Sequence, residues 1–194
     1  MNARGLSAII TIAKYFDEGE LLRIMNSTNG IITVFAGSAS RPFAQKMCDY
    51  LGVELGKSTT HIFSEGGIYV RADESIRNKD VYIVQSIGKD PNNAFTELIF
   101  WIDAFKRASA NSITAIIPYF GYAKADKKDE PRVSIRARVC ADCIEMCGAD
   151  RVVTMDLHAA QVQGFFSKPV DHLYASALLC EYARHLGIVN ENLV

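Results

Sequence analysis

Apolar positions along the chain fall into short continuous runs separated by longer stretches with a helical period. IITVF (31–35), DVYIVQS (80–86), SITAIIPYF (112–120) and RVVTMDL (151–157) are runs bounded by turn residues, the pattern of strands covered on both faces. RPFAQKMCDYLG (41–52), NNAFTELIFWIDAFKRASA (92–110), SIRARVCADCIEMCG (134–148) and DHLYASALLCEYARHLG (171–187) carry apolar residues at helical spacing. Gly52 and Gly148 supply natural stops for two of these helices. In the second, Leu98, Trp101, Ile102 and Phe105 form the predicted core face.

The stretch from Val53 to Arg71 alternates and is interrupted by Gly66 and Gly67, which predicts a hairpin-like excursion. Residues 11–26 predict an amphipathic helix followed by the turn residues Ser27, Thr28, Asn29 and Gly30, so residues 1–30 are expected to form an appended N-terminal extension. Over residues 31–194, strands alternating with helices predict one α/β domain: a mainly parallel, twisted sheet flanked by helices. Ligands in such sheets gather beyond the carboxyl ends of the strands. Two chemically loaded loops fall there, after AIIPYF and after VVTMDL.

Composition narrows the function classes. The chain has 194 residues, 49% of them hydrophobic, 22% charged, with a formal charge of −1, so it lacks the global basic field that generic nucleic-acid binding requires. The apolar run LSAIITIA is too short to span a membrane and lacks a small-residue cleavage site, which predicts a chain without membrane anchorage. Five cysteines without a secretion signal point to reduced thiols and a cytoplasmic setting. Cys140, Cys143 and Cys147 could suggest a metal, but their spacing places them on one helical face with Val139 and Ile144, and no second Cys or His group accompanies them; a core face is expected.

The loop PYFGYAKADKKDEPRVS is too polar for a core. Over residues 122–138, six cations (Lys124, Lys127, Lys128, Arg132, Arg136, Arg138) face three acids (Asp126, Asp129, Glu130), a local charge of +3 that suits a polyphosphate. Composition leaves open a plain solvated crossover, with Tyr119, Phe120 and Tyr122 as anchors. In the second loop, Asp156 and His158 would share one side if strand geometry continued that far. The carboxylate suits magnesium; the imidazole could be an acid or base, a ligand, or a cap of the turn. Asp171 could return a second carboxylate to the same rim. Phe63, beside Glu65, could stack on a purine, although its place at the end of a strand favours the core.

IFSEGG, DVYIVQS, DAFKRASA, IPYFGYAKADKKD, GADRVVTMDLHAAQVQGFF and PVDHLYA, in this order across about residues 31–194, resemble the ribose-phosphate diphosphokinase (phosphoribosyl pyrophosphate synthetase) family. The resemblance implies a phosphoribosyltransferase-like fold, with this chain as the N-terminal of two similar domains. It implies transfer of the β,γ-diphosphoryl group of ATP to ribose 5-phosphate with Mg2+, in a homo-oligomer (dimer to hexamer) whose ATP sites are shared between subunits. By match to the family motifs, Phe63 stacks on adenine and Glu65 stands where Asp or Asn contacts the base. Asp126, Lys127, Lys128 and Asp129, with Lys124, match the nucleotide-contacting loop. Asp156, His158 and Asp171 match the magnesium-associated signature, with His158 also the expected catalytic residue.

The chain departs from the family pattern in three places. Lys124 and Ala125 stand for Arg-Gln, Gly67 for a carboxylate, and Ser167-Lys168 for Asp-Ile. It also ends before the family's second metal-ligand segment, basic flap and ribose 5-phosphate loop. The expectation is a nucleotide-binding N-terminal part that is inactive alone. The alternative is a non-catalytic regulatory or assembly subunit; an ordinary phosphoribosyltransferase is weaker, since its acidic substrate loop is absent here.

Overall fold

The computed structural model describes residues 32–187. The helix expected at 11–26 and the turn at 27–30 lie outside the described residues. Chain order is β1 (Ile32–Ala36), α1 (Arg41–Leu51), β2 (Ser58–Ile62), β3 (Ile68–Ala72), β4 (Asp80–Val84), α2 (Pro91–Arg107), β5 (Ser112–Ile117), α3 (Arg136–Cys147), β6 (Arg151–Met155), a 3-10 helix (Ala160–Phe165), β7 (Val170–Leu173) and α4 (Ser176–His185).

Five strands form a parallel sheet in the order β1-β4-β5-β6-β7, while β2 and β3 pair antiparallel as a separate hairpin. Because strand side chains alternate, each strand feeds two layers. Phe35, Val81, Ile83, Ile113 and Ala115 pack beneath α2 and α3, whereas Val34, Ala36, Val84 and Ile116 pack with Ala44, Met47 and Cys48 of α1. This two-sided coverage explains why β1, β4 and β5 are apolar almost throughout. The first layer is centred on an aromatic cluster: ring centroids are 4.9 Å apart for Phe35–Phe105 and 5.2 Å for Trp101–Phe105. Leu98, Trp101, Ile102 and Phe105 are all fully buried, as their spacing predicts.

Helices α1 and α3 end at Gly52 and Gly148, both left-handed (φ 67° and 119°). The hairpin turns at Gly66, where φ is 88°. Ser40 precedes α1 without capping it; its hydroxyl accepts the Ser86 N–H at 2.7 Å and so ties the end of β1 to the end of β4.

Three expectations need correction. The helix expected over 171–187 begins only at Ser176, because Val170–Leu173 forms a fifth sheet strand beside β6. Four half-buried residues are too few to show a period of two. Val139 does not share the core face with Cys140 and Ile144: it is 51% exposed, while those two are buried. Phe63, which its position assigned to the core, is 44% exposed on the hairpin. A two-stranded ribbon off the main sheet buries much less of its side chains than an interior strand does.

A buried carboxylate links the hairpin to the sheet. Glu97 on α2 is 3% exposed. It accepts the Ser38 N–H (2.9 Å), the Ser38 hydroxyl, the Thr60 hydroxyl (3.2 Å), the Gln85 amide (3.0 Å) and the Trp101 indole N–H (3.3 Å). Five donors from β2, α2 and two strand-end loops satisfy a charge that has no cationic partner among the described residues.

Candidate nucleotide and metal site

The two loops singled out in the sequence meet. Tyr119, Phe120, Gly121, Ala123 and Lys124 from the loop after β5 and Met155, Asp156, Leu157 and His158 from the turn after β6 line one cleft of about 160 Å³. The adjacency follows from the sheet: β5 and β6 are parallel neighbours, with Ile117 opposite Thr154, so their exits open side by side. His158 is exposed at this rim and not sealed in the core.

The stem of the basic loop is fixed by packing. Phe120 is buried, bridges to Ile87 and lies 6.3 Å from the Phe166 ring. Gly121 passes so close that a Cβ there would collide with the Ile87 carbonyl oxygen. Tyr122 packs edge-on against Phe95 at 6.2 Å and donates its hydroxyl to Asn92. Phe120 and Tyr122 are therefore the anchors, while Tyr119 is 54% exposed. Beyond the stem, Lys124, Lys127, Lys128 and Asp129 point into solvent. Among the described residues no carboxylate pairs with any of these lysines, and Arg138 alone of the six cations is engaged, by Asp142 at 2.8 Å. Asp126 faces the 3-10 helix, accepting from Gln161 at 3.5 Å.

The acid-imidazole turn reaches the same cleft by a route that strand alternation does not predict. Strand geometry stops at Met155, and Asp156 adopts a left-handed conformation with φ 45°. Its N–H donates to the Leu173 carbonyl (2.9 Å), and its Oδ1 accepts the Ala175 N–H (3.1 Å). The Leu157 N–H donates to His172 Nε2 at 2.9 Å. Burial holds the His172 pKa below the ordinary value, with the nearby Asp156 charge acting in the opposite sense.

Asp171 is not brought to this rim. It lies opposite Val153 in the middle of β6, and its carboxylate is paired with Arg151, the first residue of that strand, at 2.7 Å. The residue that reaches the turn from β7 is its neighbour His172, which the sequence reading passed over. Its signal was available only through the register: a half-buried His one residue beyond Asp171, with Gln163 approaching from the 3-10 helix at 3.3 Å.

Phe63 and Glu65 sit together at the hairpin end, where His61 and Tyr69 flank the Phe63 ring at 4.9 and 6.4 Å, both edge-on. One ring exposed between two edges can offer a face to a planar ligand. The altered pair Ser167-Lys168 is occupied elsewhere: the Glu145 carboxylate accepts from the Ser167 hydroxyl (2.6 Å) and the Lys168 N–H (2.9 Å). Partial burial acts to raise the Glu145 pKa, but these bonds outweigh it and hold the group lower than usual. Among the described residues no cluster of three or more His, Cys, Asp or Glu side chains could hold a metal on its own, and all five cysteines are free.

Residues 32–148 match the family model for the N-terminal domain of ribose phosphate pyrophosphokinase. Ribose-phosphate pyrophosphokinase of Deinococcus radiodurans is 47% identical over 171 residues, covering 85% of this chain and 53% of the relative. That of Porphyromonas gingivalis is 50% identical over 170 residues (88% and 53%), and the chloroplastic enzyme 2 of Arabidopsis thaliana is 42% identical over 184 (95% and 46%). The crystal structure of phosphoribosylpyrophosphate synthetase from Mycobacterium smegmatis superposes with a TM-score of 0.78 at 42% identity, over 81% of this chain and 53% of that one. The chain thus spans about half the length of the curated relatives it matches. With the parallel sheet in agreement, the chain belongs to the ribose phosphate pyrophosphokinase family, its residues 32–148 matching the family's N-terminal domain.

Proposed function

We propose that this chain is the nucleotide-binding part of a ribose-phosphate diphosphokinase, which transfers the β,γ-diphosphoryl group of ATP to the anomeric hydroxyl of ribose 5-phosphate, giving phosphoribosyl pyrophosphate and AMP. The observation that carries this reading is the shared cleft, which Lys124 lines together with Asp156 and His158. In the reaction an oxygen–phosphorus bond forms at the β-phosphorus and the bond to the AMP oxygen breaks, so positioning and charge neutralisation supply most of the catalysis.

Each group has a part in that task. Lys124, Lys127 and Lys128 face the negative charge of the polyphosphate, Phe63 stacks on the adenine and Glu65 accepts from its exocyclic amine. Asp126, steadied by Gln161, and Asp129 set the shape of the loop. His158 orients the reacting phosphates from the turn after β6. The Asp156 carboxylate fits Mg2+, which is commonly bound through one or two carboxylates and completes its shell with phosphate and water oxygens, with His158 beside it. Bound there, the ion would neutralise charge on the transferred group. Asp171, committed to Arg151, acts in this reading by fixing β7 against β6 and not as a ligand.

Ribose 5-phosphate, a homo-oligomer of dimer to hexamer size and a cytoplasmic setting belong to the same proposal. The free thiols are consistent with a reducing compartment, and no helix of the described residues is long and apolar enough to cross a membrane. A second reading, a non-catalytic regulatory or assembly subunit, is favoured by Ala125, where a methyl group replaces the family's amide.

Calorimetric titration of residues 1–194 with MgATP, followed by an AMP assay with ribose 5-phosphate, tests the proposal. Binding without AMP release is expected. Absence of MgATP binding would overturn the nucleotide reading, and sustained AMP formation would refute the claim that this part is inactive alone.

A further inference from the structure

The turn bearing Asp156 and His158 does not hold its shape by itself. A left-handed Asp is tolerated but not favoured, and it persists where surrounding bonds determine it. Three such bonds come from one short segment: the Leu173 carbonyl, the Ala175 N–H and the imidazole of His172. The first two restrain Asp156 alone. The third acts on the N–H of Leu157, the residue between Asp156 and His158, and so controls how the two side chains stand relative to each other.

We propose that His172 is a positioning residue for the nucleotide rim: by accepting the Leu157 N–H at Nε2, it fixes the turn so that Asp156 and His158 face the cleft they share with Lys124. This rests on the nucleotide reading given above. His172 lies opposite Thr154, one residue before the end of each strand, and its ring reaches the turn beyond the end of β6. The ring packs against Tyr174 at a centroid distance of 4.2 Å. Accepting at Nε2 requires a neutral ring protonated at Nδ1, and burial favours the neutral form. His172 does not line the cleft, so its effect passes through Leu157.

The test uses Mn2+ with ATP as probe and compares His172→Gln, whose side-chain oxygen can reach the same acceptor position, with His172→Phe, which keeps a ring beside Tyr174 and removes the acceptor. His172→Phe should lose exchange protection at the Leu157 amide and weaken Mn2+-ATP binding about tenfold, while His172→Gln stays within about twofold of the wild type. His172→Met gives the same comparison if the Phe variant does not fold. Wild-type Mn2+-ATP affinity in the acceptor-free variants overturns the proposal, as does a Gln variant as weak as Phe. If the wild type shows no paramagnetic broadening at Asp156 and His158, the nucleotide reading itself fails, and the proposal with it; loss or retention of Leu157 protection tells the two failures apart.

Discussion

Lys124 and His158 line one cleft of about 160 Å³, although 33 intervening residues, an entire helix and a strand separate them in the chain. The parallel pairing of β5 with β6 brings them together, and the proposed function puts a metal-bound anion between them. Replacing Lys124 by Ala should therefore weaken MgATP binding about tenfold, the size of one charge-assisted contact, and Lys124→Arg should at least restore it. Titrations at low and high salt check the cause, because an exposed cation loses its pull as ionic strength rises.

Phe63 and Trp101 offer opposite outcomes for the same kind of truncation. Trp101 is fully buried in the aromatic cluster, so Trp101→Ala should cost about 4 kcal/mol in urea unfolding. Phe63→Ala, at an exposed site, should cost about 0.5 kcal/mol or less. It should nonetheless reduce ATP affinity by about 1–3 kcal/mol, the worth of one base stacking on an aromatic ring. Equal losses of ATP and of inorganic triphosphate would count against stacking.

Glu97→Leu should destabilise the fold by about 3 kcal/mol, since it leaves donors on Ser38, Thr60 and Gln85 without an acceptor in a closed space. Glu97→Gln should cost less, because one acceptor oxygen remains. Denaturant unfolding at fixed pH measures both, and a loss below about 1 kcal/mol for the Leu variant would contradict the role given to this carboxylate.

Burial pushes the thiols of Cys48 and Cys140 up, to about 11 and about 12 respectively. Alkylation at pH 8 should therefore modify the exposed Cys180 first and leave these two unreacted in the folded protein. For a thiol raised in the folded state, the unfolded chain releases its proton first. The stabilisation is thus complete below the ordinary thiol value of 9.0 and is lost as pH rises from there toward about 11 and 12. A Cys48→Ala/Cys140→Ala variant should lose less stability than the wild type between pH 8.5 and pH 10.5, measured by urea unfolding.

Much of this architecture is legible in the sequence because burial on both faces writes itself as nearly continuous apolar runs, as in Val81–Val84 and Ala115–Ile117. The basic loop and the acid-imidazole turn stand out for the converse reason, as polar chemistry placed where such runs end. β7 was hidden because an edge strand of four half-buried residues carries no periodic signal. Asp171 and His172 show the same limit at the level of side chains. Composition marks the carboxylate as the functional group, but register turns it toward Arg151 and gives the rim to its neighbour. The exposure of Phe63 likewise depends on the hairpin standing apart from the main sheet, which no local pattern encodes.

Gly121 gives the basic loop a fixed pivot. With its backbone pressed on the Ile87 carbonyl and Phe120 buried beside it, the strand exit cannot swing, so any closure over a ligand must start at or after Lys124. Lys124 would then travel least and Lys127 and Lys128 most.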